Sequence, residues 1–178
     1  MKKKRLPLSK VYQQIEPGPV VLLTTAHRGK QNVMTMSWHM MIDFEPPILA
    51  CIVSNQNYSF SLLKKSKECV INIPTVELAK KVVGVGNTSG RDIDKFEKFN
   101  LTYETATQVK APLLSDCFVN LECKVIDAKM SSKYNMFILE VVEAWIRPTT
   151  KRALTIHHTG FGKFVIDGRV IKLPSKMR

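Results

Sequence analysis

The segment Gln31-Asn32-Val33-Met34-Thr35-Met36-Ser37-Trp38, with Pro46-Pro47 shortly after it, holds the residue types best placed to do chemistry. As a strand it puts Val33, Thr35 and Ser37 on one face and Asn32, Met34, Met36 and Trp38 on the other. Small hydroxyls let a flat, polar-edged ligand approach the backbone and hydrogen-bond there. The opposite face is large and apolar and suits a core, and Trp38 is assigned to it. The same pattern also describes an ordinary half-buried strand. Two donor clusters add to it. Ser89-Gly90-Arg91 offers a hydroxyl, a close backbone approach and a two-pronged cation, and Lys95 would share a helical face with Arg91. Ser54, Asn57, Tyr58 and Ser59 fall at a strand end and helix start, where backbone amides favour anions. A solvated Arg-Lys face and simple capping by Asn57 account for the same residues.

Asn-Val-Met-Thr-x-Ser-Trp at 32–38, Pro46-Pro47, and Ser-Gly-Arg-Asp-Ile-Asp-Lys-Phe at 89–96 resemble the flavin reductase-like, FMN-binding split-barrel family. The flavoredoxin-type branch is the nearest in pattern, and the resemblance runs from about Ile15 to about Phe164. It implies a noncovalent FMN. The ring would lie along Asn32, Val33, Met34, Thr35 and Ser37, beside Cys51, Ile52 and Val53. Ser54, Asn57, Tyr58 and Ser59, together with Ser89, Gly90, Arg91 and Lys95, would face the phosphate and ribityl chain. It further implies a homodimer and an NAD(P)H:flavin oxidoreductase delivering hydride to flavin N5. The alternative within the family is a flavoredoxin-like electron carrier with little NAD(P)H activity. Family members carry a His-x-Gly-x-Tyr-like segment near the C-terminus. Here it reads His157-His158-Thr159-Gly160-Phe161, with Phe161 or Phe164 as the aromatic, so the tyrosine hydroxyl is missing. No catalytic residue is assigned; His158 is the candidate.

The elements that must position these residues are mostly short strands. Pro19–Ala26 and Asn32–Trp38 form a hairpin about Arg28-Gly29-Lys30. Ile48–Val53, Glu68–Ile73 and Phe137–Ile146 are further apolar strands. In Val119–Val125, apolar residues alternate with Asn120, Glu122 and Lys124, the mark of a half-exposed strand. Asn57 caps a helix over Tyr58–Lys65. A second helix runs from about Thr75 to Val83, and Gly84, Gly86 and Gly90 then break regularity. A third spans Asp92–Phe99 with Ile93, Phe96 and Phe99 inward. The expected fold is mainly β: one domain over residues 1–178, an antiparallel Greek-key-like split β-barrel with inserted helices and basic terminal tails.

Composition narrows the classes. The 178 residues are 44% hydrophobic and 24% charged, ordinary for a globular protein with a real core. Met1-Lys2-Lys3-Lys4-Arg5 resembles the start of a signal peptide, but Pro7, Ser9 and Lys10 follow instead of an apolar stretch, so the expected location is cytoplasmic. The net charge of +12 suits an anionic partner such as nucleic acid or a phosphate-bearing cofactor. No stripe of basic and aromatic residues supports nucleic acid. Cys51, Cys69, Cys117 and Cys123 lack Cys-x-x-Cys spacing, and the expectation is buried, reduced thiols. Adjacent His157 and His158 face opposite ways on an extended chain, and no metal site is expected. His27 and His39 have no recognisable partner in the sequence. Nor is there a Gly-x-Gly-x-x-Gly; Gly84-Val85-Gly86 lacks the third glycine, so a nicotinamide would have to stack on the flavin rather than occupy its own domain.

Overall fold

Alternation of apolar and polar residues builds the antiparallel strands that make up most of this chain's regular structure. The computed structural model describes residues 2–149 and 152–174. The strands are β1 (Lys4–Arg5), β2 (Val21–His27), β3 (Lys30–Met36), β4 (His39–Phe44), β5 (Pro47–Ile52), β6 (Glu68–Ile73), β7 (Tyr103–Glu104), β8 (Leu113–Leu114), β9 (Val119–Asp127), β10 (Met136–Ile146), β11 (Ile156–Gly160) and β12 (Lys163–Ile166). The α-helices are α1 (Tyr12–Ile15), α2 (Tyr58–Ser66), α3 (Ala79–Gly86), α4 (Lys95–Lys98) and α5 (Ser131–Tyr134). The main sheet runs β3-β2-β6-β9-β10-β5-β4, with β1 added to β10. Every pairing is antiparallel. The two end strands, β3 and β4, are consecutive in the chain and separated only by Ser37 and Trp38. The sheet therefore curls until its ends approach, without hydrogen-bonding to each other. This is the split barrel expected from the sequence.

Inside the curl, one face of every long strand meets the others. Val21, Leu23, Met34, Met36, Leu49, Cys51, Cys69, Ile71, Leu121, Cys123, Phe137 and Leu139 form this core. Cys51, Cys69, Cys117 and Cys123 are free and buried, as expected, and burial holds the Cys117 thiol up at about 12. The Met34 and Met36 side chains point inward, while Val33 and Thr35 face α3 on the outside.

Several expectations change here. The strand at 32–38 ends at Met36, and Trp38 is not core: it is 71% exposed. The edge strand β4, unexpected from sequence, follows at once and exposes Met40 on the same side as Trp38, while a bulge at Ile42 turns Phe44 toward Tyr12 of α1. The strand β9 is not half-exposed, since Asn120 and Glu122 are fully buried. The chain between β7 and β8 lies over that outer face. Glu122 accepts hydrogen bonds from the backbone N–H of Thr107 and Gln108 and from Trp145 Nε1 at 2.8 Å. Asn120 Nδ2 donates to Asn72 Oδ1, which also accepts from Leu114 N. Alternating polarity here signals internal hydrogen bonding rather than solvent. Trp145 sits on this outer layer, half-buried, while Phe137 is in the core.

The helical stretch also differs. Gly84 and Gly86 do not break α3 but lie within it. A Cβ on Gly84 would come within 2.4 Å of Phe99 Cε1, and one on Gly86 would meet Thr35 at 3.4 Å. Gly84 lets Phe99, at the end of α4, pack tightly against the helix, whereas Gly86 leaves room for a methyl at ordinary contact distance. The third helix starts only at Lys95, because Asp94 caps it by accepting from Phe96 N and Glu97 N. Lys95 is therefore at the helix start and shares no helical face with Arg91. It is buried, and its Nζ donates to Val85 O at 2.9 Å, near the C-terminal end of α3 where a cation is favoured.

Two predictions follow from this α3–α4 contact. Alanine in a helix interior normally gains ~1 kcal/mol over glycine. Overpacking costs about 1–3 kcal/mol. At Gly84 the clash decides, so Gly84→Ala lowers the denaturant midpoint, and adding Phe99→Leu restores it. A midpoint raised by Gly84→Ala alone would show that the ring swings away freely. The second concerns pH. Loss of hydration pushes Lys95 down to about 8 from the ordinary 10.5. Between those values the unfolded chain binds this proton more tightly than the folded one, so this group's contribution to stability rises with pH in that window. The stability gap between the natural protein and Lys95→Met, which has no titrating group there, therefore shifts toward the natural protein as pH climbs from about 8 to 10.5. A gap that stays constant in thermal melts across that range would refute the assignment.

Candidate functional site

The edge strand β3 pairs only with β2, so the backbone groups on its other side are left outside the sheet. Beside this edge lie two adjoining clefts. One, about 200 Å³, runs past Thr35, Ser37, Trp38, Ile52, Ser54 and Asn57. The other, about 300 Å³, is bounded by Val82, Gly86, His158, Gly162 and Phe164 and shares Thr35 and Ser37 with the first. Together they form a groove along the hydroxyl-bearing face. Thr35 Oγ1 donates to Val82 O at 2.6 Å, which fixes the hydroxyl and leaves its lone pair available.

One end of the groove is built by two loops that sequence separates and the fold joins. Arg91 Nη1 donates to Gln56 O at 2.9 Å, and its guanidinium lies 5.8 Å from the Tyr58 ring centroid. The turn is held locally by Arg91 N donating to Ser89 Oγ. Gly90 is required by proximity: a Cβ there would fall 2.0 Å from Asn32 Oδ1. Asn32 is buried and donates through Nδ2 to the buried Ser59 Oγ at 2.9 Å. Thr25 Oγ1 reaches the same hydroxyl at 3.4 Å. Asn32, Ser59 and Gly90 thus form the contact that sets the two loops side by side.

Asn57 occupies the N-cap of α2, but its side chain makes no capping hydrogen bond, so the expected cap is not formed. The amides of Tyr58 and Ser59 have no side-chain acceptor among the described residues, while Phe60 N donates to Asn57 O. Free helix-start amides and a guanidinium are donors of the kind a dianion needs.

The structure does not gather every expected site residue. The side chains of Cys51 and Val53 are buried in the core, and that of Val33 packs toward α3. The amides of Ile52 and Val53 already donate to Trp38 O and Asn135 O, so only the Ile52 side chain reaches the cleft. Met34 borders the cleft while buried. Lys95 is turned to α3, as described above. His158 does line the groove, with its ring 5.1 Å from that of Phe164. Phe164 is thus the aromatic at the groove, and Phe161 stands fully exposed at the hairpin tip.

Sequence reasoning missed the anchoring of this hairpin. His157 points away from His158, as adjacent strand residues must. Its Nε2 lies 2.6 Å from Asp167 Oδ1 and its Nδ1 3.0 Å from Gly18 O. Asp167 also pairs with Arg152. Hydrogen bonds from His157 and Thr155 hold its carboxyl below the usual range, outweighing the opposing effect of desolvation. His39, without a partner in sequence, sets Nε2 2.7 Å from Pro19 O, and burial lowers its pKa. A His-Asp pair at this separation in sequence had no motif to reveal it.

No helix among the described residues is long and apolar enough to cross a membrane. Residues 14–164 match the flavin reductase like domain. An uncharacterized protein of Archaeoglobus fulgidus is 35% identical over 113 residues; the match spans 64% of this chain and 64% of that protein, just under two thirds of its length. The crystal structure of an FMN-binding domain of a flavin reductases-like enzyme from Shewanella baltica is 26% identical, with a TM-score of 0.88 over 97% of this chain and 98% of that one. Flavoredoxin of Desulfovibrio vulgaris shares the fold at 19% identity, with a TM-score of 0.79 over 89% and 91% of the two chains. With a groove beside the barrel seam and this match across most of its length, the chain belongs to the flavin reductase-like family of FMN-binding split barrels.

Proposed function

We propose that this protein binds FMN noncovalently and passes electrons from NAD(P)H through it. The observation that carries this reading is the docking of the Ser89–Arg91 turn against the uncapped start of α2, at the end of a groove flanked by an unpaired strand edge. The Arg91 guanidinium and the amides of Tyr58 and Ser59 hold the phosphate. Ser54 and Asn57 face the ribityl chain. The free backbone edge of β3, with Thr35 and Ser37, orients the polar rim of the ring. His158 and Phe164 border the other side. When bound, the flavin would supply the redox chemistry. The protein's own work is to anchor, orient and limit water. Lys95 is an indirect support, since it ties α4 to the end of α3.

The groove is open on one side, and the surface beside it is apolar. Trp38 and Met40, 71 and 58% exposed, lie there together with Ile52 and Met136, and Ile42, 50% exposed, follows at a bulge. A contiguous apolar strip of this kind marks an interface. A second copy of the chain covering it would complete the flavin site. Met34 and Met36, by contrast, are buried, and Met41 packs against the core.

Reconstituted protein should retain FMN absorbance through gel filtration, and a colourless protein with no measurable FMN affinity would sink the proposal. Anaerobic mixing with NADH or NADPH should bleach the flavin; a bound flavin that neither bleaches would assign the flavoredoxin-like carrier role instead. Arg91→Ala removes a charge-assisted contact, which costs about 1.5–3 kcal/mol, or roughly ten- to hundredfold in FMN affinity. Riboflavin affinity should hardly change; equal losses would make Arg91 structural. Sedimentation should give a dimer of twice 20.2 kDa. The double variant Met40→Asp/Ile42→Asp should be monomeric and hold FMN more weakly. Tight FMN binding by that monomer would contradict a shared site.

A further inference from the structure

The hairpin β11–β12 is a sheet of its own, apart from the barrel strands. It nevertheless forms one wall of the proposed flavin groove, through His158, Gly162 and Phe164. Much of its hold on the barrel falls on one passage, Gly18-Pro19-Val20, which leads into β2. Val20 N donates to Ile156 O at 2.8 Å, and Val20, Ile156 and Phe164 pack in one apolar cluster. Beside that bond, Gly18 O lies 3.0 Å from His157 Nδ1, and Pro19 O lies 2.7 Å from His39 Nε2. Two histidines from different elements thus grip consecutive carbonyls.

The two rings do so in different protonation states. Gly18 O can only accept, so His157 Nδ1 must carry a proton to bond it. Asp167 Oδ1, 2.6 Å from His157 Nε2, is a carboxylate oxygen and also accepts, so Nε2 must carry a proton too. Only the doubly protonated ring makes both bonds; the neutral ring gives up either Gly18 or Asp167. Asp167 also accepts from Arg152 Nη2 and Thr155 N, and its carboxyl is held below the usual range. Asp167 and, through it, Arg152 are the charged groups bonded at this ring. On the Gly18 side Glu16 is exposed, and neither it nor His39 bonds to His157 among the described residues. His39 is the opposite case. Its single bond needs a single proton, its Nδ1 is buried without a partner, and burial lowers its pKa. Raising the pH therefore leaves its grip on Pro19 unchanged.

We propose that His157 is a positioning residue for the flavin site: the doubly protonated ring clamps the hairpin to the Gly18–Pro19 passage, and loss of one proton slackens the wall that carries His158 and Phe164. The proposal rests on the flavin reading above. The ring is 22% exposed, so its proton leaves to solvent. Neither His157 nor Asp167 lines the groove, and the effect passes through the hairpin.

The test measures riboflavin and FMN dissociation constants from about pH 5.5 to about pH 8.5, across the ordinary titration of histidine. Riboflavin lacks the phosphate, whose second ionisation near pH ~6 complicates FMN on the acid side. Riboflavin affinity should fall roughly tenfold towards high pH, and FMN affinity should fall above about pH 7. Asp167→Asn presents an amide N–H to Nε2, so the neutral ring keeps both contacts. That variant should hold riboflavin at high pH nearly as tightly as the natural protein does at low pH. His157→Gln should bind weakly at every pH, with the slope abolished. Imidazole nitrogen NMR should show both His157 nitrogens protonated at low pH, with one proton lost in step with affinity. A natural protein that binds both flavins without a pH slope would overturn the assignment. So would an Asp167→Asn or His157→Gln variant that keeps the slope, or a His157 ring that stays neutral throughout. A protein that binds neither flavin at any pH loses the flavin reading instead, and the NMR titration then judges the clamp by itself.

Discussion

The two-residue passage through Ser37 and Trp38 constrains the rest of the molecule. It links the two end strands of the sheet, so the sheet must curl; Trp38 O accepts from Ile52 N, and β3 and β4 stay unpaired, so the barrel is split. An exposed sheet edge normally invites aggregation. Here β3 is shielded on its outer face by α3, through Thr35 and Val33. The groove keeps access to its free backbone. The seam, the site and the apolar strip on β4 thus share one origin. A longer connection would let the strands separate and take the groove with them.

The barrel was largely legible in the residues. Strands with strong apolar character, such as Glu68–Ile73 and Phe137–Ile146, fall where periodicity puts them. Errors concentrate where a residue's partner is remote in sequence. Asn120 and Glu122 look solvent-facing, but their partners come from a chain segment that crosses over β9. Gly84 looks like a helix breaker, yet the ring of Phe99 is the reason for glycine there. The strand β4 escaped notice because Trp38 just before it and Met40 within it put apolar side chains on the exposed face, and a bulge at Ile42 interrupts the alternation. A pattern rule assigns apolar faces to the inside, and this strip inverts it.

The site shows the same division. The motif residues at 32–38, 54–59 and 89–91 do meet, because Asn32 bridges the hairpin to Ser59 and takes the close approach of Gly90. That contact can only be seen in three dimensions. The departures are about direction. Alternation along β5 sends Cys51 and Val53 inward and leaves Ile52 at the cleft. Capping by Asp94 delays α4 by one turn, and Lys95 then binds α3 rather than joining Arg91. A helix boundary set by one aspartate separates two cations that sequence spacing had put together.

The charge of the chain acquires a location in the same way. A net +12 is uninformative while it is spread over 178 residues. Some of it is committed internally: Lys3 and Lys95 donate to buried carbonyls, and Arg5, Lys81 and Arg152 have carboxylate partners. Arg91 makes only a carbonyl and an aromatic contact, and Arg28, Lys30 and Lys65 surround open space beside it. These uncompensated cations lie along one continuous path, from the groove at β3 around the start of α2 to the hairpin tip. A field focused there concentrates phosphate-bearing ligands before any specific contact forms. The hydroxyls and strand edge then select the one whose flat end fits the groove. Capture by charge and selection by shape are carried by different residues, so each can be altered without destroying the other.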